Sequence, residues 1–245
     1  PTLDAISDDT VDEDNTYTTQ LSGTDIDGDS LTFQASVDAY GSASVDGSTL
    51  TVTPDADYNG DILVSILVSD GQASGSGSFT LVVTPVNDAP TVTAIDNQVI
   101  DEDTSLDITV FPVDIDGDDL TLSASGDNIS TSFDGTTLTV TPDENYNGDI
   151  EVTVSATDDE YTGSTSFTLT VNPVNDAPTL DAISDDTVDE DNTYTIELSG
   201  NDIDGDSLTF QASVEDNGSV SVDGSMLSVT PDADFNGDII VSVLV

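Results

Sequence analysis

The segment PTLDAISDDTVDEDNTYT opens the chain at Pro1 and returns verbatim at Pro178, and a diverged copy, PTVTAIDNQVIDEDTSLD, begins at Pro90. Self-similarity at a nearly fixed interval constrains this chain more than any other feature, because each copy must be one structural unit that folds as its neighbours do. The units are residues 1–89, 90–177 and 178–245, and the third has no counterpart of the closing segment SFTLVVTPV. Over the 68 positions that the first and third units share, only 12 differ. Copies this similar point to a role served by repetition itself, as in a spacer or a multivalent surface.

Within a unit, apolar and polar residues alternate with the two-residue period of half-buried strands. Leu31, Phe33 and Ala35 form one such set, Leu50 and Val52 another; Ile62, Val64, Ile66 and Val68 form the strongest, and Phe79, Leu81 and Val83 close the unit. Gly, Asn and Asp mark turns at VDGS, YNGD and SDGQ, and no segment carries a helical period. The pattern predicts an all-β chain, a tandem array of seven-stranded Greek-key sandwiches. The aromatic of PDADYNGD (Tyr58, Tyr146 and Phe235) precedes the strongest strand. It reads as a corner packing residue, with a sugar-stacking platform as the alternative. The third unit stops at VSVLV in mid-strand, which leaves a sheet edge open to another strand. A continuing chain is the expected donor, and a neighbouring molecule in a strand-complemented filament is the alternative.

The chain carries 51 Asp plus Glu and no Lys, Arg or His. No internal salt bridge is therefore expected, and every carboxylate must find water, a backbone N–H or a metal ion. A net charge of −51 excludes nucleic acid and anionic lipid as partners, since both need basic side chains. Cations are the expected partners. No apolar run approaches the roughly 18 residues of a spanning helix, so no membrane insertion is expected in this segment. High charge of one sign favours disorder, but 35% of the residues are hydrophobic and they fall in alternating runs, which marks a folded chain. With no cysteine, neither disulfides nor thiolate metal sites are available.

The acids crowd most tightly in GTDIDGDSLTF from Gly23, PVDIDGDDLTL from Pro112 and GNDIDGDSLTF from Gly200. Calcium takes six to eight oxygens from carboxylates, amides and backbone carbonyls, and these segments offer little else. Alternation in DID sends both carboxylates to one side of an extended chain, while Gly28, Gly117 and Gly205 let the backbone turn beside them. A second metal reading takes DIDGD as a local loop with Asp25, Asp27 and Asp29 as ligands, although the twelfth-position Glu of an EF-hand is missing. The plain alternative is that these acids cap turns and face solvent.

Taken in order, DED, DIDGDSLTF, TPDADYNGD, LVSDG and VTPVNDAP resemble the cadherin-like tandem repeats of large bacterial surface and secreted proteins, across the whole chain. The resemblance implies immunoglobulin-like sandwiches outside the cell or on its surface, with calcium at the junctions and a role in adhesion or matrix building. Its implied partners are calcium ions, further copies of the same repeat, and surface glycans or other cells reached through regions outside this segment. Carried over from the cadherin pattern, the first junction takes Glu13, Asp55 and Asp57 from the upstream unit, Asn87 and Asp88 from the linker, and Asp114, Asp116 and Asp158 from the downstream unit. The second takes Glu102, Asp143 and Glu144 upstream, Asn175 and Asp176 between, and Asp202 and Asp204 downstream. Asp25, Asp27 and Asp70 then face a preceding unit, and Glu190, Asp232 and Asp234 a following one.

These readings lead to a non-catalytic adhesin stalk or filament element stiffened by calcium. An enzyme using paired carboxylates as glycosidase acid and nucleophile needs one asymmetric cleft, whereas here the acids repeat in every unit. The nucleophilic thiol and Schiff-base lysine are absent as well. A carbohydrate-binding module needs exposed aromatics, and only 5% of residues are aromatic. A salt-adapted acidic surface spreads its carboxylates evenly, but here many fall in turns and linkers.

Overall fold

A computed structural model describes residues 1–245, which form strands, turns and irregular connections with no helix. The chain divides into two compact units. Pro1–Thr93, Val110–Ser123 and Val154–Thr165 make the first; Ala94–Thr109, Ala124–Thr153 and Ser166–Val245 make the second. The second repeat contributes to both.

In the first unit, the first repeat is a two-sheet sandwich. Its strands are β1 (Thr2–Leu3), β2 (Asp9–Asp12), β3 (Tyr17–Gln20), β4 (Gly23–Thr24), β5 (Thr32–Val37), β6 (Gly41–Asp46), β7 (Thr49–Pro54), β8 (Gly60–Ser69) and β9 (Ser74–Thr84). One sheet has the order β2-β9-β8-β5 and the other β3-β7-β6. Only β2 runs parallel to its neighbour, pairing Asp9 with Leu81 and Asp12 with Thr84. Seven strands thus build the two sheets, as the alternating pattern predicts, and the two-residue pair β1-β4 adds to them.

The alternation sorts faces as the pleat requires. Ile62, Val64, Ile66 and Val68 on β8 are no more than 2% exposed, while Asp61, Leu63, Ser65 and Leu67 between them face outward. Phe79, Leu81 and Val83 of β9 and Leu50 and Val52 of β7 form one core with Ile62, Val64 and Ile66. Phe33 and Ala35 of β5 are partly buried against the same core. The corner aromatic also finds its place: the Tyr58 ring folds back over Gly60, whose φ is 141°, and its hydroxyl donates to the carbonyl of Asp61 at 3.1 Å. A Cβ on Gly60 would lie 2.8 Å from that hydroxyl, so the glycine is needed for the aromatic to close the corner. The outer face of Tyr58 stacks on Tyr40 at 4.4 Å.

The second repeat has the same sheet orders. Gln98–Asp101, Thr162–Asn172, Gly148–Thr157 and Thr121–Ser125 form one sheet, and Leu106–Thr109, Thr137–Pro142 and Ile129–Asp134 the other. In the third, Tyr194–Glu197, Met226–Pro231 and Gly218–Asp223 form the smaller sheet, and the larger is reduced to Gln211–Val214 beside Val241–Leu244. Residues 186–189, the counterpart of β2, are not a strand, because β2 pairs through β9 and the third repeat holds no such strand. Ile239, Val241 and Val243 are accordingly only half-buried, where their counterparts Ile62, Val64 and Ile66 are fully buried.

Candidate metal centre

Each linker is built into the ends of the strands on either side of it. In the first unit, β2 carries the chain into Glu13, whose backbone N–H donates to the carbonyl of Thr84 at the end of β9, 2.9 Å away. The Glu13 side chain is 2% exposed. Its Oε1 accepts the backbone N–H of Val86 at 2.6 Å, and its Oε2 accepts Nδ2 of Asn59 at 3.4 Å. A buried carboxylate with no basic partner is thus held by backbone and amide donors, and it pins the start of the linker. Asp14 follows with a left-handed φ of 58° and accepts the N–H of Asp57, itself left-handed at 55°, at 3.2 Å. The turn after β2 and the PDAD loop before β8 therefore bring Glu13, Asp14 and Asp57 to one end of the sandwich.

From the downstream side, Asp114 Oδ1 accepts the N–H groups of Asp116, Gly117 and Asp118 at 3.0, 3.0 and 3.2 Å, closing DIDGD into a compact loop. Asp158 Oδ1 accepts the N–H groups of Glu160 and Tyr161, and its Oδ2 accepts Nδ2 of the linker's Asn87 at 3.0 Å. The N–H of Asp88 donates to Asp116 Oδ2 at 2.8 Å. Pro90 lies against the strand that carries Tyr161 onward: a Cβ on Gly163 would overlap the Pro90 carbonyl oxygen. Gly163→Ala is expected to push the linker off this strand and weaken any cation uptake at the first linker, while the second linker behaves as in the wild type. Calorimetric titration of the variant with calcium checks this.

The carboxylates converge. Glu13, Asp88 and Asp116 place oxygens within 4.8 Å of one another, as do Asp14, Asp57 and Asp88, and Asp114, Asp116 and Asp118. In the second unit, Glu102, Asp176 and Asp204 do the same. There Glu102 is 3% exposed and accepts the N–H of Val174, and the N–H of Asp176 donates to Asp204 Oδ2 at 2.7 Å. Backbone donors occupy one oxygen of several acids, yet Asp88 Oδ2, Asp114 Oδ2 and Asp176 Oδ2 are buried without any hydrogen-bond partner. Protein interiors rarely leave such atoms unmatched. A hard, oxygen-seeking cation fits these donor sets, and calcium's tolerance for mixed carboxylate shells suits it best.

Electrostatics follow the geometry. Loss of water and the neighbouring charges of Asp57, Asp116, Asp14 and Glu13 raise the pKa of Asp88 above the ordinary carboxylate value. Asp176 is raised by desolvation and by Asp204, Asp103, Glu102 and Asp202, and Asp118 by desolvation and the acids around it. Asp158 is lowered, chiefly by the Tyr161 N–H. A raised carboxylate pKa means that the folded state without metal holds its proton more tightly than the unfolded chain does. Its ionised form is then a burden above that pKa, and protonation relieves it. Stability in chelator is therefore expected to rise as pH falls through the raised values of Asp88 and Asp176, until acids such as Asp158 begin to protonate. Calcium affinity is expected to fall over the same window, because protons compete for the same oxygens. Melting curves and calcium titrations at stepped pH test both signs.

Of the residues the resemblance implies, the structure gathers Glu13, Asp57, Asp88, Asp114 and Asp116 at the first linker, with Asn87 and Asp158 joined by their hydrogen bond. At the second linker it gathers Glu102, Asp176 and Asp204; Asp202 acts on Asp176 through its charge, and the Asn175 side chain turns back to the Asp176 carbonyl. Asp55 and Asp143 lie outside these clusters. Each spends its backbone on the loop turn, donating to Tyr40 or Asn128 and accepting from Tyr58 or Tyr146. Glu144 is exposed and also outside; Asn145 takes the place that Asp57 holds in the first repeat. Asp25 accepts the N–H groups of Asp27 and Asp29, and Asp70 those of Gln72 and Ala73. Glu190, Asp232 and Asp234 are exposed, and Asp234 donates its N–H to Asp191. Asp14 and Asp118 complete acid groups at the first linker, and Asp103 acts on Asp176 through its charge; the cadherin pattern implies none of the three, although Asp118 is the counterpart of Asp29 in the local-loop reading.

A sequence profile of the bacterial Ig domain matches residues 1–84, 87–172 and 175–245. No curated protein matches. Among solved structures, the chain is similar to the first four extracellular domains of Drosophila N-cadherin, at 15% identity and a TM-score of 0.39 over 99% of this chain and 68% of that one. It is similar also to domains 1 and 2 of human protocadherin-24, at 16% identity and a TM-score of 0.40 over 63% of this chain and 88% of that one. The I-band fragment I67–I69 of titin matches at 14% identity and a TM-score of 0.35 over 93% of this chain and 85% of that one. On the profile match, which spans nearly every residue, the chain belongs to the bacterial Ig domain family, in three tandem copies.

Proposed function

We propose that this chain is a non-catalytic extracellular repeat segment, an adhesin stalk or matrix element, whose linkers are stiffened by calcium. Tandem bacterial Ig-like repeats are consistent with a structural or adhesive role, and such repeats are typically non-catalytic. The observation that carries the calcium reading is the pair of buried, unpartnered oxygens at equivalent linker positions, Asp88 Oδ2 and Asp176 Oδ2, each inside a three-carboxylate group. Without a cation, like charges at about 4 Å repel by roughly 1 kcal/mol per pair in water and more where water is excluded. With calcium, the same oxygens become shared ligands that tie the upstream Glu, the linker Asp and the downstream Asp to one ion.

Small-angle scattering of wild type and of the Asp114→Asn/Asp116→Asn variant, each in calcium and in chelator, tests this. Wild type is expected to change its maximum dimension and the persistence of its linkers on calcium addition. The variant, altered at the first linker only, is expected to show about half of that response. Identical wild-type curves in both solutions would contradict the proposal.

A further inference from the structure

We propose that the two linkers load calcium at different concentrations, and that residue 57 in the first repeat against residue 145 in the second sets the difference. This rests on the calcium reading above. The scaffold at the two positions is the same: Asp57 and Asn145 both sit in left-handed backbone, at φ 55° and 57°. Each donates its N–H to the acid that follows the buried glutamate, Asp57 to Asp14 at 3.2 Å and Asn145 to Asp103 at 2.9 Å. What differs is the side chain. Asp57 completes a second three-carboxylate group with Asp14 and Asp88, beside the group of Glu13, Asp88 and Asp116. Asn145 contributes a neutral amide, and the second linker holds only the group of Glu102, Asp176 and Asp204.

Asp88 belongs to both groups of the first linker, and its Oδ2 has neither solvent nor a hydrogen-bond donor. At the second linker the equivalent unpartnered oxygen, Asp176 Oδ2, belongs to one such group. Calcium affinity in oxygen sites rises with the count of charged ligands. The first linker, with Asp57 where the second has Asn145, therefore fills at lower calcium. Because Asp and Asn are nearly isosteric, a single-atom difference in one loop grades the response along an array of otherwise similar repeats. The third repeat returns to the acidic form, with Asp234 donating its N–H to Asp191.

The test is calorimetric titration of the full chain with calcium, for wild type, Asp57→Asn, Asn145→Asp, and each of these combined with Asp204→Asn or Asp116→Asn to silence one linker. Wild type is expected to show two phases. Asp57→Asn should weaken the tight phase by about tenfold, the scale of one lost unit-charge contact with a divalent ion in a wet site. Asn145→Asp should strengthen the weak phase by a similar factor. Melting curves in chelator confirm that the isosteric variants fold. If calcium binds but neither substitution moves its phase, the inference is overturned and the calcium reading stands. If wild type takes up no calcium at millimolar concentration, both are overturned.

Discussion

Moving the chain from 10 mM calcium into chelator is expected to lower its melting temperature by about 10–20 °C. For a site with a dissociation constant near 10⁻⁴ M, within the range of extracellular modules, that concentration is about a hundredfold excess and adds about 2.7 kcal/mol by mass action. One kcal/mol moves the midpoint of a 60–100-residue domain by about 4–8 °C. The shift should reach all three repeats, since each borders one of the two proposed ion sites, the group of Glu13, Asp88 and Asp116 or that of Glu102, Asp176 and Asp204. Magnesium at the same concentration should do little, because it demands near-ideal octahedral geometry and keeps its water. Equal midpoints in calcium and chelator would contradict the expectation.

Leu81→Ala is expected to cost the first repeat about 2–5 kcal/mol, the range for truncating a fully buried leucine. Leu81 has no exposed surface, sits in the β9 register opposite Ile62, and lies beside Asp9 of β2. The loss should reach beyond the core: β2 is held to the sandwich through β9, and Glu13 follows directly from β2. Calcium uptake at the first linker should weaken as well, while the second linker responds normally. Leu63→Ala is the control, since Leu63 is 44% exposed on the opposite face of β8; it should cost less than about 1 kcal/mol. Denaturant unfolding of the two variants distinguishes them, and equal losses would mean that β9 does not anchor the core.

Much of the sandwich is legible in the alternation. Ile62 to Val68 and Phe79 to Val83 bury every second residue, as a strand with one face inward must. The linker site is less legible, because it depends on where the backbone leaves the extended form. Alternation in PDAD puts Asp55 and Asp57 on one side, but Asp57 takes a left-handed φ, the loop curls, and only Asp57 reaches the acids of the linker. The turn at Asp14 hides that residue in the same way. Burial of Glu13 is equally hard to foresee: its partner is the Val86 N–H, brought near by a parallel pairing of β2 with β9 across some 70 residues of chain. Local sequence carries no mark of that contact. The acids of DIDGD, by contrast, are foreseeable as a loop, because Asp114 accepts N–H groups from within its own segment.

The most direct measurement is a crystal structure of this chain grown in millimolar calcium. The account predicts density for an ion 2.3–2.6 Å from carboxylate oxygens of Glu13, Asp88 and Asp116, and a second bound by Glu102, Asp176 and Asp204, with Asp88 Oδ2 and Asp176 Oδ2 among the ligands. Those oxygens bonded only to water, with calcium absent from both groups, would contradict it.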